Sequence, residues 1–504
     1  MSECEKSHIG AGLRIFRNFG YLTIGKLFAD GTTFLFFLVL ARTYGQEGIG
    51  QYSFAMALTG VLSVFADFGI QTLSIKNLSR YRDQVTTYYG RLLAVRLLLS
   101  AMVISVLLVM AVLFPFPDEM KLLIIVIGAY QVFLTLVEGF GAVFVAWEDM
   151  HITSLFEVSL RVTTALAGML IVYWGGSLLL AVSSLPAMTI LHAVLGYHLI
   201  LRRCGALRIS VRTAGVRQVL GEAFPYALYS LLDLFSSRVA LLFVGFMLSA
   251  AATGVFNVAY RFVVVLLFMP IFAGLAILPI ASRLYVSSLE QLQELYRTTL
   301  NVAISLSLPM AGGIWLIAPR LIEFLYGLEF VESIVILRWL AWLVPVVFLR
   351  CIMRVFLIAS DRQEAVTKSQ FLVACVGGIL HYWLIVEFGL QGAAAATLLA
   401  ELLLIGLLGY QLKALFVWQN VGVRIVISST AVAAFLVPLV VWNGLPLPAM
   451  IFCAVLIYSG VLVLFSDIRQ DEVRLLLDYF SHNRQLKSGP SKEQATKSGR
   501  IQNR

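Results

Sequence analysis

Leu97–Phe114 reads LLLSAMVISVLLVMAVLF, eighteen residues without a charge. Wound as an α-helix at about 1.5 Å per residue, such a run nearly matches the roughly 30 Å of hydrocarbon in a bilayer. Leu122–Val137 and Val263–Ile280 are of the same kind. A barrel strand would alternate apolar and polar residues over segments of about ten, and these runs do not alternate. Inside lipid every backbone N–H and C=O needs a partner within the protein, and a helix supplies one from its own segment. The fold class is therefore all-α and polytopic.

The rest of the chain agrees. It has 504 residues, 60% hydrophobic and 13% charged, with a mean hydropathy of +0.90. A soluble domain carries about a quarter charged residues, so this composition excludes a mainly water-solvated protein. Span-length apolar segments are expected at 19–41, 51–75, 92–114, 121–146, 153–174, 177–200, 222–248, 253–281, 299–319, 334–358, 368–388, 390–412, 425–443 and 446–466, fourteen in all. Met1–Asn18 is polar and holds Glu3, Glu5, Lys6, Arg14 and Arg17, unlike a signal peptide. The organisation expected is a terminus at 1–18, six helices over 19–200, a basic linker at 201–221, six helices over 222–412, an additional pair at 413–466 and a polar tail at 467–504.

An even number of spans puts both termini on one side. Of the loop and terminal Lys and Arg, 26 fall on that side and 3 (Arg42, Lys121, Arg320) on the other. Positive charge stays cytoplasmic, so both termini are expected there, in a cell membrane. The net charge of +9 is then a topology signal against anionic membrane lipid, and no nucleic-acid partner is implied. Cys4, Cys204, Cys351, Cys375 and Cys453 are scattered, with no CxxC, so no disulfide framework, zinc site or other metal site is expected. Neither an HExxH, a P-loop, a DxD nor a GxGxxG is present. The outer loops are too short to form a catalytic domain, which argues against a membrane glycosyltransferase or polymerase. No cofactor is expected, and an energy source would have to be an H⁺ or Na⁺ gradient or the membrane potential.

The chain also repeats itself. Asp30 and Arg80 have counterparts 203 residues on in Asp233 and Arg283; Gly50, Tyr52 and Ala55 match Gly254, Phe256 and Ala259 at 204. The offset covers six spans, so the halves share one orientation, a parallel repeat about an axis along the membrane normal. Transporters built this way hold substrate between the halves.

Three stretches carry a family resemblance: RNFGYLTIGKLFADGTTFLFFLVLARTYGQEGIGQYSFAMALTGVLSVFADFGI at 17–70, ATGVFNVAYRFVVVLLFMPIFAGLAILPIASRLY at 252–285, and LIEFLYGLEFVESIVILRWLAW through GLQGAAAATLLAELL within 321–403. They resemble the polysaccharide-transporter branch, the O-antigen and oligosaccharide flippases, of the multidrug/oligosaccharidyl-lipid/polysaccharide (MOP) superfamily. That resemblance implies two six-helix lobes forming a V, often with two extra helices. It implies alternating-access flipping of an undecaprenyl-pyrophosphate-linked oligosaccharide for surface polysaccharide such as lipopolysaccharide. Its implied partners are the lipid-linked sugar, membrane lipids and other polysaccharide-assembly proteins. It also implies a cavity-facing cation near Lys26 and an arginine near Arg261. The alternative on the same fold is an H⁺- or Na⁺-coupled drug or metabolite exporter.

Eight cations fall within spans: Lys26, Arg96, Arg161, Arg238, Arg261, Arg338, Arg350 and Arg354. Each is costly in lipid unless paired or wetted. Arg96 and Arg338 lie near span ends and are expected to reach the headgroups; Glu157 and Arg161 are spaced to pair on one helix. Lys26 and Asp30 have the same spacing. Arg350 and Arg354 share a face without neutralising each other, and Arg261 has no acid within a turn. Arg261, Lys26, Arg350, Arg354 and Arg238 are thus candidate substrate contacts, since a guanidinium fork matches phosphate oxygens. Asp30, Asp67, Asp233, Glu138 and Glu401 are candidate counter-ions or coupling sites.

Overall fold

The computed structural model describes residues 3–413 apart from 81–84, 148, 206 and 208–212, and side chains from residue 25 onward apart from a few beside those gaps. The spans expected at 425–443 and 446–466 and the tail lie outside the described residues. Among the described residues every element is helical: α1 Glu3–Asp67, α2 Ile70–Arg80, α3 Val85–Leu113, α4 Asp118–Ala146, α5 Met150–Tyr173, α6 Leu178–Cys204, α7 Thr213–Met247, α8 Ala250–Leu266, α9 Phe268–Ser287, α10 Leu289–Tyr326, a 3₁₀ turn Leu328–Phe330, α11 Glu332–Ala341, α12 Leu343–Ala359 and α13 Gln363–Leu412. Ten of the described helical segments are long and apolar enough to cross a membrane.

Two of those ten fold back on themselves. A straight helix of 65 residues would approach ~100 Å, three bilayers long, but α1 turns at Gly45, whose φ is 65°. The rings of Phe37 and Tyr52 then lie 6.4 Å apart, which only an antiparallel hairpin allows. We call its arms α1a (25–44) and α1b (46–67). In the same way α13 turns at Gly389, φ 56°, so that His381 Nε2 stands 3.2 Å from Thr397 Oγ1. Both turns need a positive φ that glycine adopts without steric cost, and both match divisions expected from the sequence.

Three expected spans are interrupted. The segment expected at 51–75 breaks at Phe68 (φ 47°) and Gly69 (φ 73°), where Asp67 Oδ1 accepts from Gln71 N at 3.2 Å. A Cβ on Gly69 would collide with the α7 backbone at Ala223 and Ala227. The segments expected at 253–281 and 334–358 break at Leu267 and Trp342. In each, a proline follows three residues later, Pro270 and Pro345, and removes the N–H that would have bonded Leu266 or Ala341. Elsewhere short hydroxyl caps open the helices: Ser177, Ser249 and Ser288 accept from Leu180, Ala252 and Gln291.

Of the repeat pairs, Gly50 and Gly254 meet each other. Helix α1b crosses α8 there, where a Cβ on either would enter the other's backbone. One turn on, Asn257 Nδ2 donates to Ser53 Oγ at 2.6 Å. At the same end, Gln46 N donates to Glu329 Oε1 at 2.9 Å, Gln46 Nε2 donates to Glu329 O, and Tyr44 Oη donates to Gly176 O at 2.6 Å. We call this the Gly45 end. At the opposite, linker end, Arg203 pairs with Asp149 at 2.6 Å and packs over Trp147. There Lys76 Nζ donates to Tyr226 Oη at 3.2 Å, joining α2 to α7.

Candidate functional site

The intramembrane charges fall into two kinds, those that neutralise each other locally and those that do not. Arg96 is of the first kind and does not reach the headgroups as expected. Its side chain is 1% exposed and bound to Asp67, in a recess that exists because residue 139 is glycine: a Cβ there would overlap the guanidinium. A buried cation costs several kcal/mol unless paired, and Asp67 lies within reach because α1b ends there. Asp67 is therefore a counter-ion to Arg96.

Glu157 is 4.0 Å from Lys26, and Arg161 stands 3.5 Å from Tyr130 Oη on α4. The i,i+4 pairs expected within single helices, Glu157–Arg161 and Lys26–Asp30, are replaced by contacts between helices. Asp30 Oδ2 is buried without a hydrogen-bond partner among the described residues. Arg350 and Arg354 do not face one another unneutralised. Arg350 pairs with Glu401 on α13 at 3.1 Å, and Arg354 donates to Tyr229 Oη on α7 at 3.0 Å. Glu401 is thus a counter-ion too. Arg338 stays near the Gly45 end, 4.9 Å from the Trp315 ring.

Arg261 and Arg238 are of the second kind, and so are Arg161, Arg338 and Arg354, whose partners carry no charge; none of the five makes an ion pair among the described residues. Arg261 has its guanidinium 4.7 Å from the centre of the Phe37 ring on α1a, and it lies within electrostatic reach of Tyr52, Tyr326, Arg238 and Arg161. Protein surrounds Arg161, Arg261, Arg350 and Glu401, yet each keeps accessible surface. Side chains on the wall of an internal, wetted cleft have that character. In a poorly screened setting Arg238 and Arg161 both act on Arg261, while Asp30, Glu138 and Glu157 act on Arg161.

Beside this region a cavity of about 110 Å³ is lined by Asp233, Ser236, Tyr260, Arg350, Thr397 and Glu401. Its neighbour holds Gln370, whose Nε2 donates to Ser236 Oγ at 2.9 Å. Asp233 is exposed and Glu138 likewise; neither makes an ion pair among the described residues. No group of three or more His, Cys, Asp or Glu among the described residues could hold a metal.

The candidates thus separate. Arg161, Arg238 and Arg261 come together; Arg350 and Glu401 form a pair of their own with Asp233 nearby; Lys26 and Asp30 lie toward the linker end of α1a; Arg96 and Asp67 are withdrawn into packing. The tyrosines Tyr130, Tyr229 and Tyr326 and the ring of Phe37 were not singled out in the sequence, and Tyr52 only as a repeat position. No spacing relates them to the arginines they serve, because each contact joins different helices.

Comparison with known proteins agrees with this architecture. Residues 15–285, more than half the chain, match the family model described as polysaccharide biosynthesis protein. The chain is 23% identical over 474 residues to the probable low-salt glycan biosynthesis flippase Agl15 of Haloferax volcanii, covering 90% of this chain and 97% of that one. Among solved structures it is similar to the lipid II flippase MurJ in an inward closed conformation, with a TM-score of 0.72, 14% identity and coverage of 88% of this chain and 98% of that one. It is also similar to a multidrug resistance MATE family transporter of the MOP superfamily in an inward-facing conformation, at a TM-score of 0.64, 15% identity and coverage of 78% and 95%. The chain has the fold of these flippase and MATE structures, is a multi-pass membrane protein, and belongs to the polysaccharide biosynthesis protein family.

Proposed function

We propose that the chain flips a lipid-linked oligosaccharide of the undecaprenyl-pyrophosphate type by alternating access, with Arg261 as the principal contact to the anionic headgroup and Arg238 and Arg161 beside it. The observation that carries this reading is Arg261 itself. It is a cation among membrane helices without an ion pair among the described residues, and the charges that act on it most strongly are other arginines. Such a cluster is unfavourable until an anion enters it, and a pyrophosphate supplies two or more charges with many acceptor oxygens. The Haloferax relative's name, a glycan biosynthesis flippase, supports the substrate class. The lipid tail stays in the bilayer while the headgroup crosses between residues 19–200 and 222–412, the two lobes of the repeat. In this reading the linker end is cytoplasmic, as the charge bias argues, and the membrane is the cell membrane. Lys26, Arg350 and Arg354 are secondary contacts along the path. Asp30, Asp233 and Glu138, which make no ion pair among the described residues, are the groups on which H⁺ or Na⁺ coupling would act. Other assembly proteins would supply the substrate and consume it.

The competing reading, a coupled exporter of organic cations, calls for an acidic cavity, whereas the unpaired charges around Arg261 are basic. The test is transport per folded molecule in liposomes carrying a pyrophosphate-linked oligosaccharide. Arg261→Ala should abolish flipping without lowering the amount of folded protein, and Arg261→Lys should restore only part of it, keeping the charge but losing the fork. Wild-type flipping by Arg261→Ala refutes the headgroup assignment. Gradient-driven uptake of an organic cation by protein that does not flip the lipid-linked sugar refutes the flippase reading.

A further inference from the structure

Arg261 is held by a residue from the other half of the molecule. Its guanidinium carbon lies over the Phe37 ring, 4.7 Å from the ring centre. Phe37 is 1% exposed and wedged between Tyr52 of its own hairpin and Tyr326 of α10, each 6.4 Å away. Tyr326 packs in turn against Phe262, next to Arg261, at 6.0 Å. A ring attracts the cation above it without using its N–H donors, which stay available to an anion. Arg261 makes no ion pair or side-chain hydrogen bond among the described residues that would occupy those donors.

This seat exists only while the two halves are closed at the Gly45 end. Phe37 moves with α1a, and Arg261 lies one turn from Asn257, which bonds Ser53 at 2.6 Å. The same closure includes the Gly50–Gly254 crossing and the Gln46–Glu329 contacts. Parting the halves there takes the ring from the guanidinium, which then loses both its orientation and its shelter from water.

We propose that Phe37 is a positioning residue for Arg261. It makes the anion site strong when the Gly45 end is closed and weak when that end opens, so that opening itself discharges the headgroup. The inference rests on the reading of Arg261 given above, and extends it from where the anion binds to when it is released.

The test is titration of the purified chain in nanodiscs with geranylgeranyl pyrophosphate. Phe37→Leu keeps an apolar side chain without a π face and should weaken binding by about tenfold, the order expected of a desolvated cation–π contact. Phe37→Trp should stay within about threefold of wild type. Gly254→Leu drives a side chain into the α1b backbone and wedges the Gly45 end open. It should weaken binding by itself, and adding Phe37→Leu should then weaken it no further. A separate readout does not depend on altering Phe37. Ser53→Cys with Asn257→Cys, cross-linked shut, should bind more tightly than the wedged protein. Wild-type affinity in Phe37→Leu, a full tenfold loss from Phe37→Leu in the wedged protein, or equal affinity in wedged and cross-linked proteins would each overturn the proposal. Arg261→Ala in the same titration separates the two ideas. If it binds as wild type, the headgroup reading fails; if it binds weakly while Phe37→Leu does not, only the positioning role fails.

Discussion

Arg96 and Arg261 have the same side chain and opposite fates, and the difference is what each meets. Arg96 finds Asp67 and a recess opposite Gly139; Arg261 finds an aromatic ring and other arginines. The first is a structural pair, and its removal should appear as lost stability. Asp67→Ala would strand a buried cation, costing about 3–5 kcal/mol, and should lower the thermal midpoint of the purified protein markedly. Asp67→Ala combined with Arg96→Leu should recover most of that loss, since no charge is then left unpaired. Thermal unfolding of the single and double variants checks this, and a double variant no better than the single one would show that Arg96 does not depend on Asp67. Neither fate can be read from the residues' own helices. Position near a span end suggested that Arg96 was free to reach the headgroups, and only the packing of α1b, α3 and α4 shows that it is not.

At the scale of the element, the sequence punctuates its helices with glycine and proline, and these act in different ways. Gly45 and Gly389 reverse the chain, and both reversals were legible as divisions between spans. Pro270 and Pro345 break single crossings into two pieces without reversing them, and the run of apolar residues across each break conceals it. Gly50 and Gly254 do neither: they bring two helices into backbone contact, as small residues do in membrane proteins. If α1b and α8 must separate at that crossing during transport, Ser53→Cys with Asn257→Cys in a background without the native cysteines should cross-link under mild oxidation. Flipping should then stop, and a reductant should restore it. Undiminished transport by fully cross-linked protein would show that this contact is permanent.

For the whole molecule, orientation is the property the charges decide. The 26-to-3 partition of Lys and Arg argues for a cytoplasmic linker end, and on that reading a reporter fused within Leu201–Arg217 or after Arg504 should read cytoplasmic. A cysteine introduced at Glu47, in the turn region at the other end, should react with a membrane-impermeant thiol reagent added outside intact cells. A reporter in the linker that reads as external would reverse the whole assignment. The two halves meet through α1b and α8 at the Gly45 end and through α2 and α7 at the linker end. The candidate anion site lies one helical turn from the first of these contacts.

The sequence alone determined that the chain is an all-helical membrane protein, because runs of apolar residues this long admit no other way to satisfy a backbone in lipid. It also determined most of the crossings and the set of charges worth examining, since these depend on composition, spacing and position along one helix. What it did not determine is what each charge meets. Glu157 with Lys26, Arg350 with Glu401, Arg96 with Asp67 and Arg261 with Phe37 all join segments distant in the chain. Pairing within a helix is visible in spacing, but pairing between helices depends on their rotation and approach. Those are set by the packing of many side chains and by a few glycines that let backbones touch, and so only the tertiary structure showed that Arg261 and Arg238, like Arg161, Arg338 and Arg354, make no ion pair among the described residues.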